Sequence, residues 1–337
     1  MCLMTMIAKW REHMKMQNDH PFDITFEVAT VNHGLRSEAA NECDFVVEQA
    51  QKLTFKSTVL EPPSHLNKAP QNLHRATGIQ EWAREARYQA LETYMHQHNI
   101  RWLMTAHTRN DQAETIMMRL SAGSSMRGLT GMKALTTRNH ITLFRPFLTV
   151  SRAQIIATCH EAGIEFLDDP SNHQTHFTRV RWRSMMPMLA DEGLTLKRIE
   201  TFGKRCNDAD EAITHYAHHL IHNARILEDN TRFDLQLWIN QPFAVVCRAF
   251  ELIFTSAHTF LLHEEKSDDR SYHLRLSSIE AFTQRYLRRD APQVAPLRLT
   301  LAGMLISINA RNQLHIMREK ERKRGRKSRP DQPAPPV

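Results

Sequence analysis

A histidine and an aspartate four residues apart, where a strand gives way to a helix, can handle a phosphate, an amine or a divalent cation. The segment TAHTRNDQAET, Thr105–Thr115, has that form. His107 closes an apolar strand and Asp111 enters the next helix. Imidazole and carboxylate therefore converge above the carboxyl edge of a sheet, where open α/β folds bind ligands. Helix capping by Asn110 or Asp111 is the plainer use of the same residues. Upstream, EWAREARYQAL (Glu81–Leu91) sets Arg84 and Arg87 three apart with Tyr88 beside them. Two guanidiniums on one helical face can clamp a phosphate, or pair with Glu81 and Glu85. VNHGLR, Val31–Arg36, is a second junction after a strand, where Gly34 allows the backbone to approach a nucleobase or phosphate closely.

Further along, GSSMRGLTGM (Gly123–Met132) carries three glycines without the GxxxxGK[ST] spacing, which excludes a P-loop NTPase and reads as a mobile flap. DDPSN (Asp168–Asn172) is a turn fixed by Pro170. RVRWR (Arg179–Arg183) follows, with Arg179 and Arg183 as i,i+4 partners and Arg181 and Trp182 on neighbouring faces. An arginine cluster with an interleaved aromatic suits RNA or polyphosphate, and it equally describes surface arginines around a core tryptophan. His215, His218, His219 and His222 share a helical face but lack a carboxylate in a catalytic arrangement, and a chain with 20 histidines clusters them without any metal.

The elements that position these residues alternate. Met1–Asn18 has no charged n-region or small-residue cleavage site and so does not read as a secretory signal, and the helical spacing of Leu3, Ile7 and Trp10 suits a core helix better than an organellar transit peptide. Strands are predicted at Asp23–Val31, Phe55–Leu60, Trp102–Ala106 and Ile141–Arg145, and helices at Ser37–Lys52, Gly78–His98 and Ser151–Ala162. Such alternation predicts an α/β fold with a Rossmann-like parallel sheet. After Gly163 the alternation fades into a mainly helical second domain, with a terminal hairpin through Leu297–Leu301 and Gln313–Met317. The expected division is 1–170, 171–317 and a disordered tail, 318–337, with the first boundary near Leu167–His176.

Composition limits the class. At 337 residues, 41% hydrophobic and 24% charged, the chain is globular, and no apolar run is expected to reach bilayer length, so no membrane partner is anticipated. Five scattered cysteines without a CxxC pair fit a reducing, cytoplasmic setting and argue against a thiolate metal site. The formal charge is +7 and the pI near 9.3. Arg318–Arg329 alone holds eight Lys/Arg and two Glu, a local +6 that leaves the rest nearly neutral. Contact with a polyanion must then rely on local arginine clusters, the tail adding salt-sensitive, nonspecific attraction.

In order and spacing, VNHGLR, AREARY, TAHTRNDQAET, GSSMRGLTGM, RPFL, DDPSN and RVRWR resemble the tRNA(Ile)-lysidine synthase family of PP-loop ATP pyrophosphatases, whose sheet is of the adenine nucleotide alpha hydrolase type. The likeness is dense from Val31 to Pro187 and returns at LRLTLAGM and IMREK. It implies ATP-dependent ligation of L-lysine to the wobble cytidine of tRNA(Ile) in the cytoplasm, with ATP and Mg²⁺ as cofactors and a homodimer left open. By position in the motifs, the resemblance assigns His107, Asp111, Arg84 and Arg87 to catalysis, with Asp111 on the metal. It assigns Val31, Asn32, His33 and Gly34 to ATP, and Arg127, Arg179, Arg181 and Arg183 to tRNA, with Arg179 and Arg183 also within reach of the reaction centre. Three departures are visible. Asn32 stands where the family has Asp, His107–Asp111 lacks one imidazole and one acid of HHxDD, and the SGGxDS loop is absent. In the family that loop directly precedes the helix found here at Met1–Asn18, so the expectation is a misassigned or truncated start with the loop and its strand encoded upstream. The alternatives are an inactive tRNA-binding remnant or another tRNA-modifying PP-loop enzyme.

Overall fold

The structure, a computed structural model, describes residues 1–17, 24–32, 39–63, 76–167, 178–226, 231–262, 274–288 and 296–319. The chain divides into two compact units, Met1–Asn207 and Asp208–Val337. His33, Gly34, the DDPSN turn and the tail from Lys320 onward lie outside the described residues.

In the first unit, α1 (Cys2–Met16) sets Ala8 against Ala50 of α2 (Ala39–Lys52) and against Phe55, with Ile7, Phe26, Val28 and Leu53 around them. Arg11 fixes the docking by donating to the Leu53 carbonyl at 3.0 Å and to Thr54 Oγ1 at 2.6 Å, its guanidinium lying over the Phe55 ring. β1 (Glu27–Val31) runs parallel to β2 (Lys56–Leu60), with Glu27 opposite Lys56 and joined to it by a 2.8 Å ion pair. α3 (Ala76–Gln97) leads to β3 (Trp102–Met104), which is parallel to β5 (Ile141–Phe144).

The expected parallel pairs are present, with two corrections. An antiparallel strand, β4 (Leu135–Arg138), flanks β5 through a tight turn at Asn139 and His140, both at positive φ. Its four residues are all exposed, so LTTR carries no apolar alternation to announce it. Among the described residues, β1–β2 and β3–β5–β4 also form two separate ladders rather than one sheet.

After β3 come α4 (Arg109–Ser121), the short α5 (Met126–Leu129), α6 (Arg152–Glu161), α7 (Thr178–Asp191) and the start of α8 (Leu196–Ala224). Ala113, Ile116 and Met117 of α4 bury against Ile199 of α8, with Trp182, Met186 and Leu189 of α7 packed on them. This packing carries the first unit to Asn207, downstream of the composition change at 167–176.

The second unit contains the rest of α8, β6 (Arg232–Asp234), α9 (Phe243–Leu262), α10 (Leu276–Leu287), β7 (Leu297–Leu301), β8 (Met304–Ile308) and β9 (Gln313–Arg318). It is not only helical. Among the described residues, four strands form an antiparallel sheet in the order β6-β9-β8-β7, and β8 stands between the two strands expected to pair as a hairpin. The expectation of no bilayer-length apolar run is also corrected, because Phe243–Leu261 is long and apolar enough to cross a membrane. It escapes a reading by unbroken runs because Arg248 and Glu251 interrupt it. Val246, Ala249, Phe250, Ile253, Phe254 and Ala257 of that helix line the core of this unit.

Candidate active site

The chemistry-bearing residues gather where β3 meets α4. The turn is built by a capping box: Thr108 Oγ1 accepts from the Asp111 backbone N–H at 3.3 Å, and Asp111 Oδ2 accepts from the Thr108 N–H and hydroxyl at 2.8 and 2.7 Å. The N-cap is thus Thr108 rather than the expected Asn110 or Asp111, and Asp111, at the third helical position, closes the box with one carboxylate oxygen and presents the other, Oδ1, to Arg179 at 4.0 Å.

His107 Nδ1 lies 2.8 Å from Thr105 Oγ1, which orients the ring. Burial pushes its pKa down to about 4, with Asp111 pulling upward and Arg145, Arg84 and Arg179 pushing further down. The imidazole is thus neutral near pH 7 and sits in a field shared by one carboxylate and three guanidiniums. Arg119 of α4 extends the ring of cations. Burial lowers its pKa, as do Arg84 and Arg179.

α7 faces α4 so that Arg179 meets Asp111 and Arg183 meets Glu114. Arg183 Nε donates to Glu114 Oε1 at 2.8 Å, and Glu114 is only 1% exposed. Burial raises the Glu114 pKa against the opposing pull of Arg183. Glu114 Oε2 is buried and has no hydrogen-bond partner among the described residues. Between the two arginines, Trp182 turns into the apolar packing of α4, so it is a core tryptophan and not a stacking platform.

The other sequence-derived candidates are placed as follows. Arg84 is exposed on α3, its guanidinium 5.1 Å from the Tyr88 ring centroid, and Arg87 is exposed on the same helix. Val31 ends β1 opposite Leu60, and the Asn32 N–H extends that ladder to the Leu60 carbonyl at 2.9 Å. Arg127 is exposed on α5, and Arg181, also exposed, donates to Thr178 Oγ1 at 3.1 Å. His107, Asp111, Arg84 and Arg179 come together, whereas Arg181 turns elsewhere and Arg183 is committed to Glu114.

The site also contains Glu114, Arg119 and Arg145, which reasoning from spacing did not single out. Glu114 and Arg119 lie at i+3 and i+8 from Asp111, a signal available on a helical wheel. Arg145 stands at the charged end of a strand and opens the RPFL motif, neither of which assigned it to the site. It is buried and donates to the Lys133 carbonyl at 2.7 Å and to Thr136 Oγ1 at 3.2 Å.

The glycine-bearing loop is no loose flap. Arg119 Nη1 donates to the carbonyls of Gly128 and Gly131, both at 2.9 Å. Gln112 brackets Met132, donating to its carbonyl at 2.9 Å and accepting from its N–H at 2.6 Å. Gly131 has φ +76°, which favours glycine, and a Cβ there would stand 2.7 Å from the Gln112 amide and displace it from Met132. Asn110 is also committed to a definite contact, because its Oδ1 accepts from the Arg152 N–H at 2.9 Å and so holds the first residue of α6.

A parallel α/β arrangement with an arginine-ringed His–Asp pair at a strand's carboxyl end defines the chain's class, and residues 1–189 match the PP-loop domain family. The tRNA(Ile)-lysidine synthase of Bradyrhizobium diazoefficiens is 40% identical over 215 residues, 63% of this chain and 56% of that protein. The protein of the same name from Methylobacterium sp. (strain 4-46) is 33% identical over 307 residues, 89% of this chain and 83% of the relative. That of Wolbachia pipientis wMel is 30% identical over 294 residues, covering 87% and 63%. The chain belongs to the tRNA(Ile)-lysidine synthase family of PP-loop proteins. It spans little more than half the length of the Bradyrhizobium relative.

Proposed function

We propose that this protein ligates L-lysine to the wobble cytidine of tRNA(Ile) in the cytoplasm, with ATP converted to AMP and pyrophosphate. The carrying observation is that Arg84, Arg145 and Arg179 lie within electrostatic reach of His107, beside Asp111, with Arg119 extending the group through Arg84 and Arg179. Glu114 is already paired with Arg183, so Asp111 offsets only part of this charge. A net cationic cluster at the carboxyl edge of a PP-loop fold suits a polyphosphate and the negative charge that develops as it is cleaved.

In the reaction, the C2 oxygen of cytidine attacks the α-phosphorus of ATP and pyrophosphate leaves. The ε-amine of lysine then attacks C2, and AMP leaves with the electron pair of the C2–O bond. The arginine ring would hold and neutralise the departing pyrophosphate. In the tautomer whose Nδ1 donates to Thr105 Oγ1, the neutral His107 would have Nε2 left to accept the proton of the lysine amine.

Among the described residues no group of three metal donors occurs. Mg²⁺ commonly rests on one or two carboxylates and completes its shell with phosphate oxygens and water, and a single carboxylate oxygen, Asp111 Oδ1, fits that need. When bound, the ion supplies charge stabilisation on the phosphates.

A second reading, an inactive tRNA-binding remnant, is favoured by one observation: Asn110, where the family carries an acid, is spent on the Arg152 N–H. Incubation of the full chain with ATP, labelled lysine and a tRNA(Ile) transcript separates the two. Label retained on the tRNA only when ATP is present supports the ligase, and tRNA binding without any incorporation defeats it.

A further inference from the structure

Two of the arginines in the cationic ring also grip backbone. Arg145 holds the Lys133 carbonyl, and Arg119 holds those of Gly128 and Gly131 from a single nitrogen, Nη1. The Nε and Nη2 groups of Arg119 have no hydrogen-bond partner among the described residues and are not sealed from solvent. One edge of this guanidinium is thus fixed to the loop while the remainder is open to an anion. On the far side of the loop, α8 approaches closely at Gly203, where a Cβ would lie 2.7 Å from Ile116 Cδ1 and 3.4 Å from the Leu129 carbonyl oxygen.

We propose that Arg119 is a positioning residue that ties the backbone of residues 128–131 to the arginine ring, so that a phosphate group bound in the ring tightens the loop carrying Arg127. The inference rests on the polyphosphate reading above. Its physical basis is charge balance. Arg84 and Arg179 bring like charge to Arg119, and an anion bound among them replaces that repulsion with charge-assisted hydrogen bonds that hold the guanidinium in place while Nη1 keeps its two carbonyls. Linkage makes the effect reciprocal: if the anion firms the loop, loosening the loop must weaken the anion by the same factor. Gln112 provides a handle on the reverse direction, because it touches the loop at Met132 and carries no charge.

The test uses inorganic pyrophosphate and the full chain, reading hydrogen exchange at the amides of Leu129, Thr130 and Met132, with the amides of α6 as the folding control. In the parent protein, saturating pyrophosphate slows exchange at these amides by roughly fivefold or more, the lower end of ordinary coupling. Arg119→Lys keeps the charge but loses the planar fork, so pyrophosphate still binds while the slowing disappears. Gln112→Ala weakens pyrophosphate binding by a factor matching the one seen in exchange. Pyrophosphate that binds the parent without changing exchange at the loop overturns the proposal and leaves the polyphosphate site standing, as does an undiminished response in Arg119→Lys. No pyrophosphate binding to the parent protein overturns the polyphosphate reading and this one together.

Discussion

The two units bury their strands very differently. In the second unit, β8 alternates cleanly, with Met304, Ile306 and Ile308 fully buried on one face, and Phe250 touches four other rings, Trp238, Phe254, Phe282 and Tyr286, at centroid distances of 5.1–5.5 Å. In the first unit, strands of a parallel sheet should be covered on both faces, yet no residue of β1, β2 or β3 is fully buried, and Trp102 is 58% exposed. The residues of the candidate active site all lie in this less covered unit. Cohesion and chemistry are thus allotted to different units, as expected where a charged site displaces apolar packing.

The sharpest way to break that contrast is to open each core. Phe250→Ala removes the centre of the aromatic cluster and should cost about 3–5 kcal/mol. Phe55→Ala, at the centre of the small cluster beneath α1, should cost less than about 3 kcal/mol, because fewer buried neighbours surround it and the site can collapse. Urea denaturation of both variants measures the difference, and equal losses would show that the two halves are cemented alike.

Next in size is the buried ion pair. Arg183→Met leaves the Glu114 carboxylate in an apolar setting, which should destabilise by about 3 kcal/mol at neutral pH. The sign of its pH dependence is fixed by burial. The Glu114 pKa is already raised above its ordinary 4.5 despite the pull of Arg183, and loss of that pull raises it further. The folded state then holds a proton that the unfolded state has released, so the variant regains stability as pH falls through the raised value toward 4.5. Stability curves at several pH values check this, and a deficit independent of pH would mean that Glu114 is not the group left unpaired.

The contrast between the units also explains how much could be read beforehand. β1, β2, β3 and β5 announce themselves by β-branched and aromatic runs, because these signals are local, whereas the cap of α4, expected at Asn110 or Asp111, lies at Thr108. β4 was silent because all its residues face water, and β8 because pairing between Leu297–Leu301 and Gln313–Met317 is chosen by tertiary contacts that strand propensity does not encode. His107, Asp111 and Arg84 were legible from type and junction. Glu114 and Arg145 matter because α7 covers the one and β4 surrounds the other, facts that no spacing rule contains. Trp182 was open to two readings until its neighbours were known.

A third measurement compares a histidine held among charges with one shifted by burial alone. The His107 pKa falls to about 4, whereas that of His258 is lowered by burial only. Between pH 6.5 and 4 the unfolded chain takes up a proton at residue 107 that the folded chain refuses, so acidification costs stability, by about 1.4 kcal/mol near pH 5.5. His107→Gln should remove that part of the acid slope and leave stability above pH 7 nearly unchanged. An unaltered slope would assign the acid sensitivity to other groups.

The smallest effect concerns Asn110. Its side-chain carbonyl satisfies the Arg152 N–H, one of the donors at the start of α6 that lack an intrahelical partner. Asn110→Ala should therefore cost about 1 kcal/mol, far less than opening the aromatic core. Asn110→Asp retains an acceptor at the same place and should hold the stability of the parent while restoring the acid that the family pattern carries. Thermal melts of the two variants separate the acceptor from the charge. If Asp matched Asn in stability and also raised lysine incorporation, the amide would be a departure tolerated by the fold at the expense of the reaction. If Asp proved as unstable as Ala, added negative charge beside Asp111 would outweigh the cap, and asparagine would be the residue this turn requires.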